Sequence, residues 1–366
     1  MNKKTISKNK IAFWFGTEAE ILKSFLVILK MREQGYSPII ISTGQNDLNK
    51  SNIVVDYNLE PDLVINKFIN KKLPLNLVFW FFSTIFFHFF KIRNYIKKNN
   101  IEYVVVHGDT VSTLMGAIIG MACGVSVIHL EAGLRSHNLT NPFPEEIDRI
   151  IVSKIAKIHF CQDSTAVLNL RNTTGEIINT HGNVVCDTVD LLSGAKSKIL
   201  NLLSNEYALV TFHRAEQLLV KEKLEMLVGT TIKIAEKIQV LFVLFEFTEQ
   251  ILKKNGLLNL IINHPNIMVT PRVQYAEFIT LMCNATLVMT DGGSNQEELA
   301  HLGIPTLIMR THTERIDGLD NNIILSKFNN SIINKFLDNY SELIRERKII
   351  SKTPAQIVAD HLLCLN

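Results

Sequence analysis

The stretch Tyr103-Val104-Val105-Val106-His107-Gly108-Asp109-Thr110 decides the fold class. It begins as a short apolar run rich in β-branched residues, ends in a polar turn, and is followed by a longer segment of helical periodicity. The same order recurs at 11–15, 38–42, 126–130 and 158–161, and again at 207–212, 240–245, 267–269, 287–290 and 306–309. Such alternation is typical of a parallel sheet with crossover helices. Two series of it predict an α/β protein with two doubly wound, Rossmann-like domains facing a central cleft.

The boundary between the two domains is predicted from the stretch that separates the two series. Residues 191–203 are increasingly polar and are expected to be helical. We therefore predict a first domain over residues 1–190 and a second over 191–350. The final segment, 351–366, is expected to form a helix that crosses back onto the first domain. A chain of 366 residues, 47% of them hydrophobic, is long enough for two cores.

Charge and cysteine usage exclude several classes of function. The net charge is only +3, and no basic run alternates with aromatic residues, so nucleic acid is not an expected partner. The five cysteines form no CxxC pair and no cluster with histidine, which indicates neither disulfides nor a zinc site. We expect no bound metal and a reducing, cytoplasmic location. The N-terminal residues lack the pattern of a secretion signal.

Residues 73–90 are almost wholly apolar and contain seven phenylalanines and Trp80. A helix that is apolar on all sides must be buried in the core, at a dimer interface or in lipid. We expect core packing together with a homodimer contact. The flanking Lys71, Lys72, Lys91 and Arg93 leave a peripheral membrane contact as the alternative.

Polar residues follow several of the predicted strands, at the edge of a doubly wound sheet where ligands bind. They lie at 16–17, 107–110, 131–135, 213–214 and 291–298. Because the carboxyl ends of parallel strands meet at one edge, these groups are expected to converge on a site in the cleft.

The turn Asp291-Gly292-Gly293-Ser294 follows a strand and opens a helix. Backbone N–H groups and the helix dipole could hold a phosphate or diphosphate there, with Gly293 and Ser294 as binding residues. Glu298 lies one helical turn further on, where its carboxylate could accept hydrogen bonds from ribose hydroxyls. A tight turn that needs glycine for its backbone, and a carboxylate that stabilises a helix N-terminus, are the structural alternatives.

Asp109, Glu131 and Glu145 form a set of carboxylates in the first domain. Removing a proton next to the anomeric carbon of a sugar requires a base on one face and an acid on the other, and grouped carboxylates can supply both. Glu146 is expected to be structural. Arg135 and Arg149 either neutralise these acids or take part in the site.

His213 and Arg214 end a strand at the start of the second domain. This pair suits a proton-transfer group beside a diphosphate clamp. His107 and His129 lie on buried strands and are expected to be core residues.

Together these motifs resemble the non-hydrolysing UDP-N-acetylglucosamine 2-epimerases, over nearly the whole chain and in the same order. The motifs are the runs at 107–110, 131–135, 142–146, 181–183, 213–214, 296–298, 309–310 and 313–315. The resemblance implies a GT-B architecture, no redox cofactor, a homodimer, and a UDP-linked N-acetylhexosamine as substrate in surface polysaccharide synthesis. In this family a proton leaves C2 as UDP leaves C1, and the resulting glycal is reprotonated on its other face while UDP adds back.

Carried over by this resemblance, Asp109, Glu131 and Glu145 match acid/base carboxylates and His213 matches a catalytic or phosphate-side histidine. Glu298 matches a ribose-binding position, and Arg315 matches a residue that holds the diphosphate or the sugar.

The chain departs from the family where an arginine that binds phosphate is replaced by Glu18, and Lys23 is the candidate substitute. The stretch 44–47 replaces the family's allosteric motif. These departures leave a GT-B glycosyltransferase, a hydrolysing 2-epimerase and an inactive UDP-sugar-binding module as alternatives.

Overall fold

The computed structural model describes residues 11–66, 74–139, 144–313, 315–347 and 352–365, with all side chains in these ranges except those of residues 74–76 and 294. The chain forms two compact units. The first comprises residues up to Thr188 together with the C-terminal segment from Ser351, and the second runs from Val189 to Ile350. The boundary lies two residues before the predicted one.

The first unit is built around a seven-stranded parallel sheet. Its strands are β1 (Ile11–Phe15), β2 (Ile39–Ser42), β3 (Leu63–Val64), β4 (Tyr103–His107), β5 (Ser126–Leu130), β6 (Ile158–Cys161) and β7 (Glu176–Asn179). Its helices are α1 (Glu18–Leu22), α2 (Phe25–Glu33), α3 (Asn52–Asp56), α4 (Pro74–Lys98), α5 (Val111–Cys123), α6 (Glu145–Ile155), α7 (Ser164–Asn169) and the start of α8 (Val184–Leu192). The strand order β3-β2-β1-β4-β5-β6-β7 is that of a doubly wound fold.

The second unit repeats this plan with six parallel strands. They are β8 (Tyr207–Thr211), β9 (Gln239–Leu244), β10 (Ile267–Pro271), β11 (Leu287–Thr290), β12 (Thr306–Ile308) and β13 (Ile323–Leu325), in the order β10-β9-β8-β11-β12-β13. Its helices are α9 (Ala215–Leu218), α10 (Lys221–Ala235), α11 (Glu246–Lys254), α12 (Leu258–Ile262), α13 (Tyr275–Cys283), α14 (Gly293–Leu302) and α15 (Asn330–Asn339). The last helix, α16 (Pro354–Cys364), belongs to the first unit.

The central strands of both sheets are buried on both faces. Every residue of β1 and every residue of β8 is buried, which explains why these strands are continuous apolar runs without alternation. The helix α16 is anchored to the first unit by the backbone N–H of Ala355, which donates to Asp187 over 2.6 Å, and by Gln34, which donates to Asp360 over 3.2 Å. It therefore returns to the first unit, as the sequence predicts.

The structure corrects the prediction of helix over residues 191–203. The helix α8 ends at Leu192, and the following residues are turns and irregular chain up to a single 3₁₀ turn at Leu200–Leu202. Gly194 and a polar, largely exposed sequence offer no apolar stripe that could be buried, so tertiary packing does not support a helix there.

The segment 73–90 forms most of α4, although Leu73 itself lies outside the described residues. One face of α4 is buried in the first unit through Trp80, Phe81 and Ile92, which are at most 8% exposed. The opposite face is open, so the helix is not covered on all sides within the chain. Among the described residues, no helix is both long enough and apolar enough to cross a membrane.

Two glycines in helices give a prediction about packing. A Cβ at Gly116 would lie 2.7 Å from the indole of Trp14 and 2.8 Å from Val106, whereas a Cβ at Gly229 in α10 would meet nothing within 4 Å. Gly116→Ala should therefore destabilise the first unit by about 1–3 kcal/mol through overpacking. Gly229→Ala should stabilise the second unit by about 0.5–1 kcal/mol because alanine favours the helix. Urea denaturation of both variants and the wild type measures the two changes, and equal effects would contradict the packing described here.

Candidate functional site

The strand order places a topological switch point in each sheet. In the first unit it lies between β1 and β4, and in the second it lies between β8 and β11. Ligands of doubly wound sheets bind beyond the carboxyl ends of the strands at this point. Ligand-binding residues are therefore expected directly after β1, β4, β8 and β11.

The loop after β1 is organised by Glu20, which is buried in α1. Its Oε2 accepts hydrogen bonds from the backbone N–H groups of Gly16, at 2.7 Å, and Thr17, at 2.6 Å. Its Oε1 accepts from the hydroxyls of Thr110, at 2.5 Å, and Thr113, at 3.1 Å. Burial raises the pKa of Glu20, although these hydrogen bonds act in the opposite direction. A carboxylate of the protein itself thus occupies the N–H groups that this loop could have offered to a phosphate.

Glu131 follows β5 and has a left-handed backbone with a φ of 56°. Its Oε2 accepts from Lys23 Nζ at 2.7 Å and from Asn183 Nδ2 at 2.8 Å. The same Asn183 nitrogen donates to Gln162, and His107 Nε2 lies 3.8 Å from the Glu131 carboxylate. Glu131, His107, Gln162 and Asn183, with neighbouring residues of β6 and α16, line a small pocket in the first unit. The structure therefore uses Lys23 to hold a candidate catalytic carboxylate.

Two arginines pair with acids near the start of α6. The guanidinium of Arg149 forms an ion pair with Asp109, which follows β4. Arg135 Nε donates to Glu146 Oε1 over 2.7 Å, and the backbone N–H of Ser136 donates to Glu146 Oε2 over 2.9 Å. Burial would raise the pKa of Glu146, but the Ser136 N–H and the Arg135 guanidinium bring it below its ordinary value. Glu146 therefore ties Arg135 and the backbone of Ser136 to the start of α6.

Glu145 and Asp148 complete this acidic group on α6. Both lie in the first turn of the helix, three residues apart and hence on the same side. Asp148 is only 4% exposed, and burial together with the charges of Asp109 and Glu145 raises its pKa to about 7. Asp148 is not among the site residues predicted from the sequence. Its spacing from Glu145 is the one signal that could have done so.

In the second unit, Asp291 connects the ends of β8 and β11. Its carboxylate is fully buried and accepts from the backbone N–H groups of His213, at 3.0 Å, and Arg214, at 2.8 Å. His213 Nδ1 lies 3.3 Å from Asp291 Oδ1, and the ring stacks on Phe245 at a centroid distance of 5.0 Å. Nε2 is therefore the ring nitrogen that does not face the aspartate.

Burial lowers the pKa of His213 below its ordinary value, and the charges of Arg214 and Arg272 act in the same direction, against the carboxylate of Asp291. The imidazole is therefore neutral at pH 7 and can accept a proton. The side chain of Arg214 lies 3.3 Å from Glu216 and is 31% exposed.

The helix α14 begins immediately after the β11 loop, with Gly292 as its N-cap and Gly293 as its first residue. A Cβ at position 292 would lie 2.9 Å from the amide oxygen of Asn295 and 3.4 Å from the His213 ring, so Gly292 lies close to both side chains. The first N–H groups of a helix have no partner within the helix and attract anions. The side chain of Ser294 lies outside the described part of the structure.

Two carboxylates on α14 are held by residues far away in sequence. Tyr275 donates its hydroxyl to Glu298 Oε1 over 2.6 Å, and Arg315 forms an ion pair with Glu297. Glu298 is 2% exposed and Arg315 is 7% exposed. The amide of Gln296 donates to the backbone oxygen of Arg315 over 3.0 Å and so fixes the loop that carries it.

The predicted site residues are divided between the two units. The first contains Lys23, Asp109, Glu131, Arg135 and Glu145, and the second contains His213, Arg214, Gly293, Glu298 and Arg315. Sequence reasoning missed the anchoring roles of Tyr275 and Asn183, which are invisible locally because each lies at least 23 residues from its partner. Among the described residues, no three His, Cys, Asp or Glu side chains are grouped as metal ligands would be.

Comparison with known proteins identifies relatives over most of the chain. A protein of Methanococcus maripaludis described as a UDP-N-acetylglucosamine 2-epimerase homolog is 35% identical over 262 residues, covering 69% of this chain and 71% of that protein. The UDP-2,3-diacetamido-2,3-dideoxy-D-glucuronate 2-epimerase of Pseudomonas aeruginosa is 30% identical over 325 residues, covering 84% of this chain and 85% of that protein.

Among solved structures, the UDP-GlcNAc 2-epimerase of Methanocaldococcus jannaschii superposes with a TM-score of 0.79 at 26% identity, covering 97% of this chain and 99% of that one. The same enzyme in complex with UDP-GlcNAc and UDP gives a TM-score of 0.78 at 25% identity, covering 97% of this chain and 98% of that one. The family profile described as UDP-N-acetylglucosamine 2-epimerase matches residues 30–354. The resemblance read from the motifs is thereby confirmed, and the chain belongs to the UDP-N-acetylglucosamine 2-epimerase family of isomerases.

Proposed function

We propose that this chain interconverts UDP-N-acetylglucosamine and UDP-N-acetylmannosamine, or the two epimers of a closely related UDP-N-acetylhexosamine, by elimination and readdition of UDP. The observation that carries the proposal is that the two switch points carry different chemical groups. The first unit contains the neighbouring acids Asp109, Glu145 and Asp148, and also Glu131, which pairs with Lys23. In the second unit, the neutral His213 lies next to the N-terminus of α14. Proton transfer at C2 needs acids such as those of the first unit. Departure of a diphosphate at C1 needs groups that stabilise negative charge, such as those of the second unit.

The carboxylates of the first unit serve as base and acid. Asp109 is held by Arg149, Glu131 is held by Lys23 and Asn183, and Glu145 has no such cation in the described residues. Carboxylates in such different surroundings can hold different protonation states at one pH, as an elimination that removes a proton on one face and returns it on the other requires. Arg135 supports this site through Glu146.

The second unit binds UDP. The N–H groups at Gly293 and Ser294 and the dipole of α14 stabilise the diphosphate, and Arg214 and Arg315 add positive charge beside it. Glu298, oriented by Tyr275, accepts from the ribose hydroxyls. His213 lies beside Gly292 at the start of α14, where its imidazole can hydrogen-bond to the departing UDP.

The proposed sugar is N-acetylated at C2. The relative in Pseudomonas aeruginosa is named for a diacetamido uronate and the solved relatives for UDP-GlcNAc, and all are 2-epimerases. Incubation with UDP-N-acetylglucosamine in deuterated water, followed by proton NMR, tests the proposal. Deuterium at C2 together with UDP-N-acetylmannosamine is expected. Free hexosamine with UDP would identify a hydrolysing epimerase, and binding without any exchange would favour a glycosyltransferase or an inactive binding module.

We also propose that the enzyme works in the cytoplasm. All five cysteines are free thiols, as a reducing cytoplasm would keep them. We place the reaction in the supply of an amino sugar for a surface polysaccharide such as a capsule, because epimers of UDP-N-acetylhexosamines are donors for such polymers.

The homodimer belongs to this proposal as well. The exposed aromatic face of α4, formed by Phe79, Phe82, Phe86, Phe87 and Phe90, has side chains that are 64–78% exposed. A buried aromatic residue covers about 150–250 Å², so five of them approach the roughly 800 Å² per partner of a standard interface. A second copy of the chain, paired through the same helix, is the occupant we propose.

The first prediction from this function concerns proton transfer. Asp109→Asn and Glu131→Gln should each lower turnover by about 10² to 10⁴ because a group that moves or steers protons is lost. UDP binding should persist, since the nucleotide is held by the second unit. Glu33→Gln, at an exposed position on α2, is the matched control. Turnover close to that of the wild type in both site variants would refute the assignment.

A second prediction concerns the nucleotide. Loss of a charged hydrogen-bond partner costs about 1.5–3 kcal/mol, so Glu298→Ala should bind UDP about 10- to 100-fold more weakly. Tyr275→Phe should weaken binding less, because the carboxylate remains but loses its orientation. The rise in melting temperature that UDP causes measures both effects. Tyr340→Phe, on a 3₁₀ turn of the same unit, should respond to UDP as the wild type does.

A third prediction concerns the exposed aromatic face. Phe82→Glu combined with Phe86→Glu should convert a dimer into a monomer of unchanged melting temperature, measured by analytical ultracentrifugation and calorimetry. Leu168→Glu, at an exposed position of α7, is the control and should leave the dimer intact. The proposal fails if the double variant remains dimeric and instead no longer sediments with anionic vesicles. That result would assign the face, together with Lys91, Arg93, Lys97 and Lys98 on the same helix, to a membrane surface.

A further inference from the structure

The acids around the first turn of α6 outnumber the cations that face them. Arg149 pairs with Asp109 and Arg135 pairs with Glu146, so both guanidinium groups face a carboxylate. In the described residues, Glu145 and Asp148 have no such pair. One carboxylate oxygen of each, Glu145 Oε2 and Asp148 Oδ2, is buried without a hydrogen-bond partner there. Buried, unpaired negative charge is costly, and a carboxyl group in that position takes up a proton instead.

Within the described residues, the two elements that pack most closely on α6 bring no further positive charge. The helix α5 packs along α6 and contains no charged residue. The strand β5 contributes His129, whose buried ring has a pKa lowered to about 3 by desolvation and is therefore neutral. The charged groups that face Asp148 are thus Asp109 and Glu145, with Arg149 directed at Asp109. Two neighbouring negative charges and nearly complete burial all favour the protonated form of Asp148.

We propose that Asp148 is a positioning residue of the epimerase site, which carries a proton near neutral pH and so adds no negative charge beside Asp109 and Glu145. The inference rests on the proposed function and adds to it a residue that sets the pH range of the reaction. As a neutral acid, Asp148 adds no negative charge beside a substrate that already carries a diphosphate. Once ionised, it opposes both the binding of that substrate and the negative charge that develops at C2 when the proton is removed.

The pH profile of the epimerase tests this role. Burial and the two neighbouring carboxylates give Asp148 a pKa of about 7, so the kcat/KM of the wild type should fall as the pH rises above this value. If the ionised form is inactive, the fall is about tenfold per pH unit. Asp148→Asn is permanently neutral and should lack this fall while remaining active between pH 6 and 8.5. Asp56→Asn, at an exposed position of the same unit, should keep the profile of the wild type.

A second measurement does not depend on activity. The folded pKa of Asp148 lies above its unfolded value of about 3.8, so the stabilisation by the bound proton is present at low pH and is lost as the pH rises to about 7. The melting temperature of Asp148→Asn relative to that of the wild type should therefore rise between pH 4 and 7 and stay constant above. Asp148→Ser provides the same comparison if the asparagine variant folds poorly.

The possible outcomes separate the two proposals. A wild type that exchanges no C2 proton at any pH contradicts the proposed function, and the melting comparison then decides the protonation of Asp148 by itself. A melting difference that does not change with pH overturns the inference, as does an active Asp148→Asn enzyme that keeps the alkaline fall. A residue with only a packing role would shift the melting temperature equally at all pH values.

Discussion

At the switch point of each sheet, one buried carboxylate accepts hydrogen bonds from the loops after two neighbouring strands. The rest of the candidate site depends on this arrangement. In the first unit, Glu20 accepts from the N–H groups that follow β1 and from the hydroxyls of Thr110 and Thr113, which follow β4. In the second, Asp291 follows β11 and accepts from the N–H groups of His213 and Arg214, which follow β8. Parallel strands leave their terminal backbone groups without sheet partners, and a buried donor must be satisfied. Each carboxylate meets that requirement and fixes two loops together.

This arrangement decides where an anionic ligand can be held. The N–H groups of the β1 loop are already bonded to Glu20, so this loop has no donors left for a phosphate at Gly16 and Thr17. In the second unit Asp291 fixes the position of His213, while the first turn of α14 begins just beyond, with glycine at the closest approach. This geometry supports the proposal that the second unit holds the diphosphate of a UDP-sugar. The first unit, rich in paired and unpaired acids, is suited to proton transfer.

The acids of the first unit also show how strongly a site depends on charge balance. Lys23, Arg135 and Arg149 each pair with a carboxylate and so hold Glu131, Glu146 and Asp109 in place. A guanidinium or ammonium that pairs with a buried acid stabilises the ionised form of that acid. Asp148 lacks such a pair in the described residues, and burial together with the neighbouring Asp109 and Glu145 raises its pKa to about 7. Paired and unpaired acids of one site can thus differ in the pH at which they ionise.

Much of this protein follows from the sequence alone. Apolar runs of four to six residues between helical segments predicted the central strands of both sheets, because strands buried on both faces must be continuously apolar. The polar turns after these runs predicted which residues lie at the carboxyl edges, and the motifs there predicted the family. The edge strands β3, β7 and β13 were missed because they are short and only partly buried, and so have no comparable pattern.

Only the tertiary structure decided which groups meet. Lys23 and Glu131 are 108 residues apart, and Tyr275 and Glu298 are 23 apart, so no local pattern records these contacts. The sequence also does not show that one face of α4 is exposed, because both faces of this helix are apolar. Only packing in the first unit distinguishes them. The protonation of Asp148 was also beyond the sequence, because a pKa depends on burial and on neighbouring charges that the fold alone brings together.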